Sequence, residues 1–429
     1  MVNCYIEGNI TGDKIINEIV PEYKFIYERK VQKFKYSIDE NDIDNDNDDD
    51  GYLFNSYNFG LNSYNFGHYG ENRLEINRNN IFDDAYSFIM NKTPSELKKR
   101  LKIKYIGESG LDAGGLLRDF FYQISKVIGD PNYSFFKYIN DKNYELNINP
   151  ESGIVEENHL RYFRFIGRIM GLALRQHQYL PIEFSYIFYK QLLNKTLCFK
   201  DLIFIDFDLY KQLNWLKDNE VEGLSLTFRI DEKDCFDNQS YVELIPNGSN
   251  IAVTDENKNE YINLVIQYKL DNTNVMDQFD ALRKGFYELI PPTLISTFNE
   301  FDLKFLLTGN NEIDIEDWQN NTDYEGYHEN DITVTYFWIW VSELSKEDRV
   351  KLLVFATGNS QIPITGFKDL QGNGHIQHFK LKKAGDIDSL PISHTCFNRI
   401  DLPPYKSYEQ LNKKLLLAIS DGNNEFTLE

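Results

Sequence analysis

Residues 39–50 contain only Asp, Glu and Asn apart from Ile43, and this run most constrains what the chain can fold into. Like charges at that density repel one another and stay hydrated, so the run is expected outside any core. Behind it the hexapeptide NSYNFG at residues 55–60 recurs at 62–67. Two copies are too few for a solenoid, and the stretch reads as polar–aromatic low complexity. From about Asn72 the composition turns globular. The chain is thus expected to divide into a helical extension (residues 1–37), a low-complexity segment (38–71) and a folded part. Over 429 residues, 31 Phe and 28 Tyr supply a large aromatic core, so global disorder is excluded, and the length suits two or three domains.

The formal net charge of −22 argues against a nucleic-acid stripe and suits solubility or a basic partner. Cys4, Cys198, Cys235 and Cys396 have no C-x-x-C spacing, which suits a reducing compartment and no zinc or redox pair. Residues 1–9 lack the basic and apolar parts of a secretory signal. The longest apolar run, residues 336–341, is too short to span a bilayer. These features predict a soluble protein, cytoplasmic or nuclear.

Ile15, Ile16, Ile19, Tyr23, Ile26, Lys30 and Phe34 partly follow a helical stripe over residues 12–36. Leu160, Phe163, Ile166, Gly167, Met170 and Leu174 predict an amphipathic core helix over 159–175, and 278–289 looks similar. Residues 225–230 look strand-like, while 262–268 are ambiguous. Gly309-Asn310-Asn311 follows the apolar run 305–307 and suits a hinge or turn. Beyond it a smaller unit begins. Residues 333–344 are helical in reach, Ser345 with Asp348 can cap a following helix, and Gly358 can end it. Gly366, Gly372 and Gly374 mark turns, and 379–381 reads as a strand. Ser407 and Gln410 form a capping box before the stripe Tyr408, Leu411, Leu415 and Ile419. Residues 390–405 are expected to be a strand-to-helix loop, with Cys396 in it.

Most chemical motifs fail on inspection. Asp46, Asp48, Asp50 and Gly51 begin like a calcium loop, but its twelfth position is Tyr57, which cannot supply the bidentate carboxylate. The glycine-rich stretch 107–115 lacks the Gly-Lys-Ser/Thr ending of a phosphate loop and the G-x-G-x-x-G pattern, so it reads as a turn before a helix at 116–128. His159, His177, His328, His375, His378 and His394 have no metal-ligand spacing. Cys396 lies in Ser393-His394-Thr395-Cys396-Phe397-Asn398, with Pro391 before it and Pro403-Pro404 after. The prolines stiffen this segment, and its polar neighbours keep a thiol near solvent. The residues alone leave two readings open: a reactive thiol, or an ordinary buried cysteine.

Residues 390–405 resemble the active-site loop of the HECT ubiquitin ligases. The resemblance extends to 357–363 (TGNSQIP) and 366–372 (GFKDLQG), and upstream to 110–115 (GLDAGG), Asn149-Pro150 and 159–163 (HLRYF). Order and spacing agree from about Asn72 to Glu429, and the 399–405 stretch is similar to the WW-bearing branch of the family. The resemblance implies an α+β, bilobal fold. A larger, mostly helical N-lobe (72–308) would include a conjugating-enzyme-binding subdomain at about 195–285. A smaller α/β C-lobe (312–429) would carry the thiol, and the flexible hinge would be Gly309, Asn310 and Asn311.

It further implies a ubiquitin-protein ligase, a transferase acting in protein ubiquitination without cofactor or metal. Its partners would be ubiquitin, a ubiquitin-conjugating enzyme and protein substrates. Cys396 would be the thioester nucleophile, His394 would orient the loop, and Asp401 would orient or deprotonate the incoming lysine. Phe426 would place the tail. Leu209, Leu213, Leu216, Leu224, Tyr261 and Val265 match the groove for the conjugating enzyme, with core packing as the alternative for each. Val265 departs from the tyrosine common there, which bears on the choice of conjugating enzyme. No WW, C2 or other targeting module precedes Asn72, so either the chain is part of a longer one or substrate choice uses an unfamiliar element. A catalytically inactive scaffold is the rival reading; retention of Cys396, His394 and Phe426 opposes it. A cysteine hydrolase would need a paired base and an oxyanion site, for which the sequence offers no support.

Overall fold

The computed structural model describes residues 21–43, 71–108, 114–140, 143–233, 239–270, 275–310, 312–372 and 375–421. Its buried apolar side chains gather into three cores. The largest is built by helices α1 (Pro21–Ile43), α2 (Ile81–Met90), α3 (Gly115–Ile128), α4 (His159–Arg175) and α5 (Tyr186–Leu192). The parallel pair β1 (Asn72–Ile76) and β2 (Leu101–Tyr105) and the hairpin β3 (Phe136–Asn140) and β4 (Asn143–Ile148) flank them. Helix α4 is the axle. Its stripe of Phe163, Ile166 and Met170 is buried, as the 3.6-residue period requires.

A second, smaller core lies around two aromatic-rich helices. Before its elements come α6 (Phe207–Asp218), the hairpin β5 (Arg229–Lys233) and β6 (Gln239–Glu243), and α7 (Lys258–Leu270), which enclose the third core. Next come α8 (Met276–Tyr287) and α9 (Glu300–Thr308), both of the first core. The second core then forms between α10 (Ile315–Asn320), β7 (Thr322–Glu325), α11 (Ile332–Glu343), α12 (Lys346–Thr357) and the elements that follow. These are a two-residue pair, β8 (Gln371–Gly372) and β9 (His375–Ile376), then β10 (Phe379–Lys383), β11 (Ile392–His394), β12 (Arg399–Leu402) and α13 (Tyr408–Asp421). One sheet runs in the order β11-β12-β10-β7. Strands β7, β10 and β12 are parallel, and β11 is antiparallel at its edge. Trp318 stacks on Phe367 at 4.8 Å beneath this sheet. Ser345 caps α12 and Gly358 ends it in the left-handed region, as their sequence positions suggest.

Several expectations are corrected. Helix α1 continues through Ile43, into the acidic run, past Ile38, which is anchored in the first core. Of residues 225–230, only Arg229 and Ile230 are in a strand, β5. Ser225 has φ +54°, Thr227 makes only an isolated bridge to Ala252, and pairing with β6 begins at Arg229. Residues 262–268 belong to helix α7. Within the expected subdomain at 195–285, buried residues from Leu202 to Leu270 form the third core, while α8 buries Phe279, Leu282 and Phe286 in the first.

The expected 390–405 loop contains two strands. At the expected hinge, Gly309 is buried at the end of α9, and Asn310 exchanges backbone hydrogen bonds with Ile362 at 2.8 and 3.0 Å. Asn311, Phe426, Gly374, the NSYNFG repeats and residues 109–113 lie outside the described residues.

Candidate active site

The chain enters the site along β11 and leaves it along β12. Between them Thr395–Phe397 make a single 3₁₀ turn, closed by Asn398 at φ +48°. Asn suits this left-handed position because its short amide bonds locally. Here the amide nitrogen donates to the Gln371 and Gln377 carbonyls at 2.9 and 2.6 Å, and the residue is fully buried. Cys396 is therefore held at the tip of a pinned turn. It is a free cysteine, partly exposed, between buried Thr395 and half-exposed Phe397.

His394 and Asp401 meet across this strand pair, with Nε2 3.0 Å from Oδ2. Arg399 Nε lies 2.8 Å from the other carboxylate oxygen, an ion pair without hydrogen-bond alignment. The sheet continues the row of charge: Lys382 stands beside Asp401 on one side and bonds Glu325 on the other at 2.8 Å. That bond, with Lys380 and Arg399 nearby, holds the Glu325 carboxyl below its usual range. The carboxylate of Asp401 is thus already engaged by His394 and Arg399, on the strand next to the thiol.

The first turn of α3 closes the site from the first core. A side chain at Gly115 would put its Cβ 3.1 Å from the Cys396 Sγ and 2.7 Å from the Thr395 Oγ1. One turn on, Arg118 is buried and donates to the carbonyls of Thr357, Thr395 and Gln371 and to the Asn398 side-chain oxygen, at 2.5–2.9 Å. The sequence reading took Gly115 as part of a turn and did not single out Arg118. Partners 239 to 280 residues away leave no local signal.

A model of the HECT domain, a ubiquitin-transferase domain, matches residues 122–429, which include the whole of this thiol turn. The chain belongs to the HECT family. It is 46% identical over 353 residues to the E3 ubiquitin-protein ligase RSP5 of Saccharomyces cerevisiae and to the probable E3 ubiquitin-protein ligase hulA of Aspergillus fumigatus. Each match covers 82% of this chain and 43% of the relative. The E3 ubiquitin-protein ligase pub1 of Schizosaccharomyces pombe is 45% identical over the same length, with 46% of that protein covered. The chain therefore spans less than half the length of the curated relatives it matches.

In this HECT chain the six apolar positions expected to form a groove fall into two groups. Leu213, Leu216 and Val265 are buried in the third core, so their side chains point inward rather than line a surface. Leu224 is 44% exposed, and Leu209 and Tyr261 are half-buried. Tyr261 packs edge-on against Phe228 at 5.6 Å, and burial raises the pKa of its hydroxyl. Trp215 on α6 is 49% exposed and was not singled out from the sequence. Its place on a helix with buried Leu213 and Leu216 was the available signal. Among the described residues no group of three or more His, Cys, Asp or Glu side chains could hold a metal ion. No helix among them is long and apolar enough to cross a membrane.

Proposed function

We propose that this chain is the catalytic part of a ubiquitin ligase that takes ubiquitin from a conjugating enzyme onto Cys396 and passes it to a substrate lysine. The observation that carries this reading is a free, partly exposed thiol on a pinned turn in a chain of this family. In the first step the Cys396 thiolate attacks the carbonyl of the conjugating enzyme's thioester, the new C–S bond forms, and the donor's thiolate leaves. In the second a neutral lysine amine attacks the new thioester, the C–N bond forms, the Cys396 thiolate leaves, and the amine's proton passes to a base. One acyl bond replaces another, so the chemistry needs no cofactor. Asp401, oriented by His394 at 3.0 Å, is the base or the orienting group for the lysine.

The rest of the reading follows the family. Apart from α1 and Ile364, the first and third cores make up the N-lobe (72–308), the second is the C-lobe (312–429), and the two turn about residues 309–311. The exposed parts of Leu209, Trp215, Leu224 and Tyr261 receive an apolar loop of the conjugating enzyme, as a groove of Leu and aromatic side chains would. Phe426 places the tail during lysine transfer. The partners are ubiquitin, a conjugating enzyme and protein substrates rather than nucleic acid, and the site of action is cytoplasmic or nuclear.

Incubation with ubiquitin-charged conjugating enzyme tests the reading. The wild type is expected to form a ubiquitin adduct that reducing agent cleaves, and Cys396→Ala none. Absence of the adduct with several conjugating enzymes, or an equal adduct on Cys396→Ala, would overturn it.

A further inference from the structure

The contact between the first turn of α3 and the cysteine turn is built to be specific. Arg118 is 4% exposed, and the four acceptors named above are all uncharged oxygens. Thr357 is the last residue of α12, so its carbonyl is one that the helix leaves unbonded, at the end that favours a cation. Thr395 and Asn398 bracket Cys396 directly. Asn398 relays the hold, since its amide also fixes Gln371 and Gln377. A guanidinium has five donors in a fixed fork and can span such a set, whereas an ammonium is a point charge. On the same helical face, three residues earlier, Gly115 leaves the gap that Thr395 and the Cys396 Sγ fill.

The turn carrying Cys396 packs on α12, β8 and the start of α3. The surface proposed above for the conjugating enzyme lies on the third core, which α6 and α7 build. The seat of the thiol at Gly115 and Arg118 thus belongs to a different core from that surface. Resting on that proposed function, we propose that Arg118 is a positioning residue: with Gly115 as its seat, it latches the loaded cysteine turn to the first core for the lysine-transfer step. The four hydrogen bonds named above are polar and made to neutral oxygens. Opening the latch lets water replace each carbonyl, so it can close and release in each catalytic cycle.

Single-turnover measurements on the full chain separate the two steps. Charged conjugating enzyme is mixed with wild type, Arg118→Ala, Arg118→Lys or Gly115→Ala, and the reducible Cys396 adduct is followed. Free lysine is then added and loss of the adduct is timed. Arg118→Ala is expected to charge within about twofold of wild type and to discharge to lysine at least tenfold more slowly. Arg118→Lys should recover less than half of that loss, because one ammonium cannot hold four acceptors.

Gly115→Ala leaves the charge in place and suits a helix, yet puts a methyl 2.7 Å from Thr395 Oγ1. It is expected to slow discharge as Arg118→Ala does while melting no lower than wild type. Discharge within twofold of wild type in both Arg118→Ala and Gly115→Ala, or an equal fall in charging and discharge, would overturn the latch. If wild type itself forms no adduct, the ligase reading fails instead.

Discussion

Two junctions in this molecule join helices by opposite means. Inside the first core, α4 and α8 are in backbone contact. A Cβ at Gly167 would lie 2.0 Å from the Leu282 carbonyl oxygen, and one at Gly285 2.0 Å from that of Arg164. Gly171 continues the seam against Leu289. Glu288 locks its end, accepting from Arg164 at 2.9 Å and from Arg168 at 2.7 Å, and Arg168 is buried. Where the second core meets α3, by contrast, the described contacts include one guanidinium on four oxygens and a glycine under the thiol turn. The first junction is in backbone contact and closed at its end by a partly buried ion pair, so separating it would expose core and a buried guanidinium. The second is polar, and separating it exposes groups that water can satisfy.

The sharpest way to break this comparison is Gly285→Ala. The added methyl meets backbone on two sides, the Arg164 carbonyl at 2.0 Å and the Arg168 nitrogen at 3.0 Å, so no rotamer relieves it. The expected cost is about 3 kcal/mol or more, the upper end of overpacking. Three of the four tryptophans, Trp318, Trp338 and Trp340, lie in the second core. Urea unfolding followed by tryptophan emission therefore reports the second core, and helical circular dichroism the whole. The helical transition should move to lower urea while the tryptophan transition stays near its wild-type midpoint. Equal displacement of both would mean that the junction at Arg118 is as tightly coupled as the seam at Gly285.

What the sequence made legible follows the same division. Helix α4 was readable end to end because its apolar residues recur at helical spacing, although from Phe165 to Arg175 it is buried on every side and Leu160 of the stripe is exposed. The caps at Ser345 and Gly358 were readable because capping is local. Helix α7 was ambiguous because Tyr261, Leu264 and Ile266 are half-buried, which blurs any single stripe. Strands β11 and β12, of three and four residues, are too short to display alternation, and only the pairing of β12 with β10 and of β11 with β12 makes them strands. Cys396 was found through a motif. The Arg118 contacts depend on chain crossings that no local pattern encodes.

A smaller effect sharpens the account of the welded half. His177 follows α4 at φ +53°, and burial, then the charges of Lys35 and Arg175, lower its pKa from 6.5 to about 4. Below pH 6.5 the unfolded chain takes up a proton that the folded one refuses until about pH 4. This contribution is whole above pH 6.5 and is lost as the pH falls through that window. His177→Asn keeps a residue that tolerates the left-handed backbone and removes the titration. Allowing for the partial exposure of His177, the stability difference between the two proteins should shift in favour of the variant by about 1–2 kcal/mol from pH 7 to pH 4. Urea midpoints at both pH values measure it, and parallel curves would refute it.

The smallest effect concerns a charge contact between α1 and the segment that follows α12. Lys368 Nζ lies 3.3 Å from Glu28 of α1, with the lysine side chain half-exposed. Screened by solvent and costly in side-chain freedom, such a pair stabilises by little. Lys368→Ala should lower stability by less than about 0.5 kcal/mol and leave the rate of adduct discharge to lysine unchanged. The two variants then rank the junction: a buried fork to four fixed oxygens against a loose pair across water. A slowing of discharge in Lys368→Ala comparable with that of Arg118→Ala would mean that any charge across the junction serves, and the geometry of the guanidinium would no longer explain how the thiol turn is held.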